Sequence, residues 1–233
     1  MECRWVVVPH EAPVDAEDAR RMQEELRGRL VLPGPELAPP GTVTGLDISY
    51  EVGSDRAIAA AVVLDARTGA VVEVAVAEGT VSFPYVPGLL AFREIPLLLD
   101  AIGKLGRRPE TLVCDGFGVA HPRRFGLACH LGVLLDVPAF GVAKNEFVGA
   151  WTEPGVARGD WSPVLDGDEL LGRALRTRTG VKPVFVSAGH RISLAAASDL
   201  AVALSTHFRV PEPTRQADII SRQALRGEYP VGP

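Results

Sequence analysis

Hydrophobic and polar positions repeat along this chain with two periods, and the change from one to the other divides it. Asp15 to Leu30 sets Met22, Leu26 and Leu30 among many charges, which predicts an amphipathic surface helix with Asp15 near its N-cap. The Pro/Gly-rich stretch Pro33 to Gly41 then reads as a loop. Three runs rich in Val, Ala and Ile follow, Val43 to Ser49, Ala57 to Asp65 and Ala70 to Glu78. Gly53-Ser54-Asp55 and Arg67-Thr68-Gly69 separate them with turn chemistry, and such short connections predict an antiparallel meander.

From Gly88 the spacing becomes helical (Leu89, Phe92, Leu97, Leu98, Ile102, Leu105), with Pro96 expected to kink or restart the helix. Thr111 to Asp115 is a short strand, Arg123 to Leu135 a helix, and Ala139 to Ala143 a further strand. This alternation predicts parallel pairing for the later strands, and so a mixed sheet flanked by helices, α/β in class. Pro183 to Ser187 is one more strand, and Leu194 to Leu204 and Thr214 to Leu225 are helical. Gly149 to Gly167 reads as a long loop. There is no internal repeat, and residues 1–233 are expected to form one domain.

Composition narrows the class of protein. No apolar run approaches the roughly 20 residues of a membrane helix, and the apolar stretch Val6 to Val8 is too short for a secretory signal. A soluble, cytoplasmic protein without a membrane partner is the expectation. Cys3, Cys114 and Cys129 form no CxxC pair, which points to reduced thiols. The net charge of −5 excludes binding of nucleic acid through a bulk positive field; any such activity must come from a local site.

Two carboxylates sit where apolar strands do not call for them. Asp47 interrupts Gly45-Leu46-Asp47-Ile48, and Asp115 ends Leu112-Val113-Cys114 where a strand meets a glycine-rich turn. Charged groups are rarely buried unless paired or bound to metal, and strand-to-turn junctions are where α/β sheets hold ligands. With Glu94 on the intervening helix, the oxygen donors suit a hard cation such as Mg²⁺, which would polarise a phosphate and activate a water. Spacing alone leaves the other reading open, in which each acid is a cap or an ion-pair partner. Phe83-Pro84-Tyr85-Val86-Pro87-Gly88 is a stiff aromatic element, either a rigid strand-to-helix connection or a wedge that stacks between bases. Gly116-Phe117-Gly118 lacks the third glycine of a dinucleotide loop, and the spacing of His121 and His130 does not suit zinc. Arg107-Arg108, Arg123-Arg124 and the run Arg173, Arg176, Arg178 read as solvated faces.

GLDISY, FPYVPGLLAFRE, CDGFGVAHPRRFGLACHLG, GVAKN, SAGHRIS and VPEPTRQAD occur in one order from residue 45 to residue 218. Together they resemble endonuclease V, or deoxyinosine 3′-endonuclease, a family with a ribonuclease H-like fold. The resemblance implies hydrolysis of the second phosphodiester bond 3′ to a deoxyinosine, leaving a 3′-hydroxyl and a 5′-phosphate. Asp47 and Asp115 match the aspartates that hold Mg²⁺ (Mn²⁺ substituting), and Glu94 matches the family's glutamate. Asp218 matches a fourth active-site position, and Lys144 a lysine near the scissile phosphate. Pro84, Tyr85, Val86 and Pro87 form the wedge. Gly88, Leu90, Gly116, Gly118, His121 and Leu127, with Tyr85, match the substrate-binding positions that line the pocket for the flipped hypoxanthine. The chain departs from many relatives at Ala195, where an acid is common. The implied partner of this monomer is inosine-containing DNA, with single-stranded DNA or inosine-containing RNA as alternative substrates. A non-catalytic inosine-binding module is the remaining reading, disfavoured by the intact acid set.

Overall fold

The computed structural model describes residues 12–34 and 38–231. Cys3 and Val6 to Val8 lie outside them. Eight strands form one sheet: β1 (Thr42–Tyr50), β2 (Arg56–Asp65), β3 (Val71–Thr80), β4 (Leu112–Asp115), β5 (Ala139–Ala143), β6 (Trp161–Asp166), β7 (Glu169–Leu175) and β8 (Val184–His190). Their order across the sheet is β3-β2-β1-β4-β5-β8-β7-β6. The predicted meander is β1 to β3, antiparallel throughout. Parallel pairing is confined to β1, β4 and β5, since β8 returns antiparallel to β5.

Helices α1 (Ala16–Arg27), α2 (Leu90–Gly103), α3 (Leu127–Leu135), α4 (Leu194–Ala203) and α5 (Glu212–Leu225) flank the sheet. β2 shows why its run is continuously apolar. Ala57, Ala59, Ala61 and Val63 pack in a core with α2 and α3, while Ile58, Ala60, Val62 and Leu64 pack in a second core with α4 and α5. A strand covered on both faces has no polar side to alternate with.

α1 starts as its sequence predicts, with the Asp15 carboxylate accepting from the N–H groups of Glu17 and Asp18. α2 does not restart at Pro96 but runs through it as one element, with nine residues buried along its length. α3 begins at Leu127 rather than Arg123, because Arg124 takes a φ of 55° and Gly126 is the N-cap. α5 begins two residues earlier than predicted, at Glu212. β6 lies inside the stretch expected to be loop. The hairpin it forms with β7 turns at Gly167-Asp168, and the Asp166-Gly167 pair carries a turn signal that the apolar pattern did not register. Ala195 is exposed in the first turn of α4, behind the N-cap Ser193. No helix among the described residues is long and apolar enough to cross a membrane.

Candidate active site

Strand register brings the first two acids together. Leu46 of β1 lies opposite Cys114 of the parallel β4, so Asp47 and Asp115 are the next residues on adjacent strands. Both follow the parity of Val43 and Val113, whose side chains face α4 and α5, whereas Leu46 and Cys114 face α2 and α3. α5 contributes Asp218, which with Asp47, Asp115 and Lys144 lines one open cleft. The Ser221 hydroxyl lies 2.9 Å from Asp47 Oδ2, 2.8 Å from Ser49 Oγ and 3.1 Å from the Asp218 carbonyl. Its single proton serves either Asp47 or that carbonyl, while Ser49 is placed to donate to it. Lys144 Nζ, just beyond β5, donates to Asp115 Oδ2 at 2.6 Å, and Arg209 holds the Lys144 carbonyl at 2.5 Å. Glu94 approaches from the α2 side, buried, and accepts a 2.9 Å bond from the Tyr50 hydroxyl.

The acids are unequally paired: Lys144 meets Asp115 at 2.6 Å and Arg222 meets Asp218 at 2.7 Å, whereas burial disfavours charge on Asp47 and Glu94. Burial pushes the Asp47 carboxyl up to about 8; the Ser221 bond opposes this, and Asp115, Asp218 and Glu94 add to it. Burial also lifts Glu94 to about 7, against the Tyr50 hydrogen bond and with Asp115 adding to the rise. Burial works against the Lys144 ammonium, but Asp115, with Asp47 and Asp218, still raises its pKa. A buried carboxylate near other acids favours its protonated form.

Beside the cleft is a cavity of about 150 Å³ lined by Gln23, Tyr85, Gly88, Leu90, Ala91, Gly116, Phe117, His121, Gly126, Leu127 and Phe147. An apolar cavity of about this size accepts a benzene-sized ring. The Phe147 ring packs 5.3 Å from that of Phe117 and 5.7 Å from that of His121. His121 Nδ1 accepts from the Arg123 N–H at 3.1 Å, which makes Nε2 the protonated nitrogen, donating to the Gly88 carbonyl at 3.0 Å. Burial, then Arg123, pulls this imidazole down to about 4, so it carries no charge at neutral pH. At the mouth, Phe83 is buried and Val86 half-buried in a small cluster with Leu89 and Phe92, whereas Tyr85 stands 70% exposed between Pro84 and Pro87. The loop is anchored through Phe83 and Val86 and projects the Tyr85 ring.

A model of the Endonuclease V family matches residues 24–219. Endonuclease V of Streptomyces avermitilis is 56% identical over 225 residues, covering 95% of this chain and 97% of its own. The chain belongs to the endonuclease V family. The Streptomyces avermitilis endonuclease V crystal structure matches with a TM-score of 0.90 at 54% identity, covering 96% of this chain and 99% of that one. Endonuclease V of Ciona intestinalis, in complex with a 24mer DNA containing an inosine followed by a ribo-adenosine, matches with a TM-score of 0.81 at 30% identity, covering 91% and 98%. The sheet is therefore the ribonuclease H-like sheet of endonuclease V, and the family is one of nucleases.

Of the positions matched to endonuclease V from sequence, Asp47, Asp115, Lys144 and Asp218 share the cleft, and Glu94 acts on Asp47 electrostatically. Tyr85, Gly88, Leu90, Gly116, His121 and Leu127 line the cavity, but Gly118 does not. Gly118 is packed against β8: a Cβ there would stand 2.0 Å from the Ala188 carbonyl oxygen, and its N–H donates to Ser187 Oγ. Its lack of a side chain lets the turn pack closely against β8.

Several residues escaped the sequence reading. Ser221 shares a helical face with Asp218 three residues before it, a signal legible once α5 was known to face β1. Gln23 lies outside the motifs, Phe147 falls two residues after GVAKN, and Phe117 lies inside CDGFGVAH, where only its flanking glycines drew attention. Arg107, Arg108 and Arg178 are exposed, but Arg123, Arg124 and Arg176 are not solvated faces. Arg123 bonds Gln23 and Gly88, Arg124 bridges Asp166 and Glu169, and the buried Arg176 donates to the carbonyls of Pro154, Gly155 and Val181.

The donor set fits a hard divalent cation. Every candidate ligand is a carboxylate oxygen; Lys144 pairs with Asp115 and Arg222 with Asp218, and both cations can yield their place to a divalent ion. Among the described residues no three such groups already converge on one point. A cation here would therefore take one or two carboxylates and complete its shell with water and phosphate, as Mg²⁺ commonly does.

Proposed function

We propose that this protein is a Mg²⁺-dependent endonuclease that recognises deoxyinosine in DNA and hydrolyses the second phosphodiester bond 3′ to it, leaving a 3′-hydroxyl and a 5′-phosphate. The observation that carries this reading is the juxtaposition of the Asp47–Asp115 pair with a largely apolar cavity whose mouth holds an exposed tyrosine. Hypoxanthine pairs weakly, so extruding it costs less than extruding a normal base. Tyr85 would fill the gap in the stack, and the uncharged cavity would take the base.

Asp47 and Asp115 would hold the cation, with Asp218 and Glu94 shaping the field around them. Bound Mg²⁺, or Mn²⁺ in its place, supplies phosphate polarisation and a water acidified for in-line attack. Lys144 offers its ammonium to the scissile phosphate, exchanging the Asp115 contact for it. Glu94, oriented by Tyr50 and lifted to about 7, is placed to take up a proton near neutral pH.

The Ciona relative's bound strand carries a ribo-adenosine after the inosine, and this supports a second reading in which inosine-containing RNA is cut by the same site. Matched single-inosine DNA and RNA oligonucleotides, incubated with Mg²⁺ and mapped at nucleotide resolution, test both. Cleavage of neither, or cleavage in EDTA, overturns the nuclease assignment; predominant RNA cleavage selects the second reading.

Tyr85→Ala is expected to weaken binding of inosine DNA by roughly 5- to 150-fold, the equivalent of about 1–3 kcal/mol of base stacking. The melting temperature should hold, because the ring is exposed. Unchanged affinity would remove the wedge.

The raised acids also set a pH dependence. Between about pH 4 and pH 8 the native state keeps a proton on Asp47 that the unfolded chain has released. Chelated protein should therefore lose stability as pH rises through that window. Mg²⁺ competes with the same proton, so its apparent affinity should climb as pH rises towards about 8 and the thermal slope should flatten. Calorimetric melts at several pH values with EDTA or Mg²⁺ measure both; a cation effect independent of pH would place the ion elsewhere.

A further inference from the structure

Gln23 is buried, at 1% exposure, in the middle of α1, a helix that otherwise presents mostly charge. Its amide uses both ends. Nε2 donates to the Gly88 carbonyl at 3.1 Å and to the Phe125 carbonyl at 2.9 Å. Oε1 accepts from Arg123 Nε at 2.5 Å, and Arg123 Nη2 in turn donates to the Gly88 carbonyl at 2.5 Å. Gly88 lies at the foot of the tyrosine loop, and Phe125 immediately precedes Gly126 and Leu127 at the start of α3. Gly88, Gly126, Leu127 and Gln23 itself all line the cavity. One side chain thus joins α1 to two walls that no strand or helix connects directly. Gln23 falls one residue ahead of the stretch the family model matches.

We propose that Gln23 is a positioning residue for base recognition. Together with Arg123 it fixes the spacing between the tyrosine loop at Gly88 and the start of α3, and so sets how wide a base the cavity admits. This rests on the cavity being the hypoxanthine pocket proposed above. The chemistry makes width the quantity that matters. Guanine differs from hypoxanthine by one exocyclic amino group at C2, so a cavity that drifts open by the reach of one nitrogen admits it. Hydrogen bonds hold heavy-atom distances within a few tenths of an ångström, whereas apolar packing alone lets the walls slide.

The test measures binding without cleavage, in an Asp47→Asn background, to matched oligonucleotides carrying a central inosine, guanine or adenine. Gln23→Met keeps the length of the side chain and removes its hydrogen bonds. It is expected to lower the inosine-over-guanine affinity ratio by about tenfold, the scale of one or two lost hydrogen bonds. Arg123→Met should lower it similarly, and the double variant should lose little more, because the two act as one clamp. Gln23→Glu, which keeps the acceptor for Arg123 but loses the donor to both carbonyls, should fall on the side of Gln23→Met. A Gln23→Met protein with a lower melting temperature and an unchanged ratio would show a purely structural glutamine and overturn the proposal. A parent protein with no preference for inosine would instead overturn the recognition reading beneath it.

Discussion

Asp47→Asn is expected to lower Mg²⁺-dependent cleavage of inosine DNA by roughly a thousandfold or more while leaving the fold as stable as before at pH 8. The loss follows from what a metal-held phosphate and water contribute, several kcal/mol of transition-state stabilisation, with each 1.36 kcal/mol worth about tenfold in rate. The stability follows from the electrostatics. Burial and three neighbouring acids oppose charge on Asp47, so an uncharged amide of the same size removes repulsion. The Asn side chain also keeps an oxygen for the Ser221 hydroxyl, now 2.9 Å from Asp47 Oδ2. Cleavage rates and melting curves on the same preparation separate the two effects. Near-normal cleavage would remove Asp47 from the chemistry; a large fall in melting temperature would make it a structural acid.

Gly45→Ala is expected to damage both stability and activity, although the residue touches no substrate. A Cβ at Gly45 would stand 2.1 Å from the carbonyl carbon of Pro213 and 2.2 Å from its oxygen. These are backbone atoms, so the clash cannot be relieved by a rotamer change; β1 and the first turn of α5 must part. Overpacking of this kind costs about 1–3 kcal/mol. The displacement carries Asp218 and Ser221 away from Asp47, and a shift of about 1 Å at a reacting centre costs roughly a hundredfold in rate. Ala→Gly reversion controls for the substitution, and a crystal structure or hydrogen exchange across α5 would locate the shift. Full activity in Gly45→Ala would mean that the α5 acid is not needed in its present place.

The extent to which this was legible beforehand differs from residue to residue. Asp15 was readable as a cap because a cap is a local matter, satisfied by N–H groups two and three residues on. β2 was readable because both its faces are buried and every position had to be apolar. The β6–β7 hairpin was not, since Pro163 and the exposed Trp161 and Leu170 mask the alternation on this outer part of the sheet. The packing of Gly118 against β8 was not legible for a related reason: a glycine's motif position does not say which strand will lie against it. Arg123 was misread as surface because its partner, Gln23, lies 100 residues away.

By itself the sequence determined the order of the strands and helices, apart from the β6–β7 hairpin, and the placing of two aspartates in apolar strands, because hydrophobic period and turn chemistry act over a few residues. The ordered motifs also determined the family. Only the tertiary structure decided that Asp47 and Ser221, 174 residues apart, share a hydrogen bond, and that acids from α2, β4 and α5 lie close enough to raise the pKa of Asp47 on β1. The physical reason is that these are through-space quantities. Burial and repulsion at Asp47 depend on where α5 docks on β1, and that depends on a missing Cβ at Gly45 rather than on any spacing along the chain.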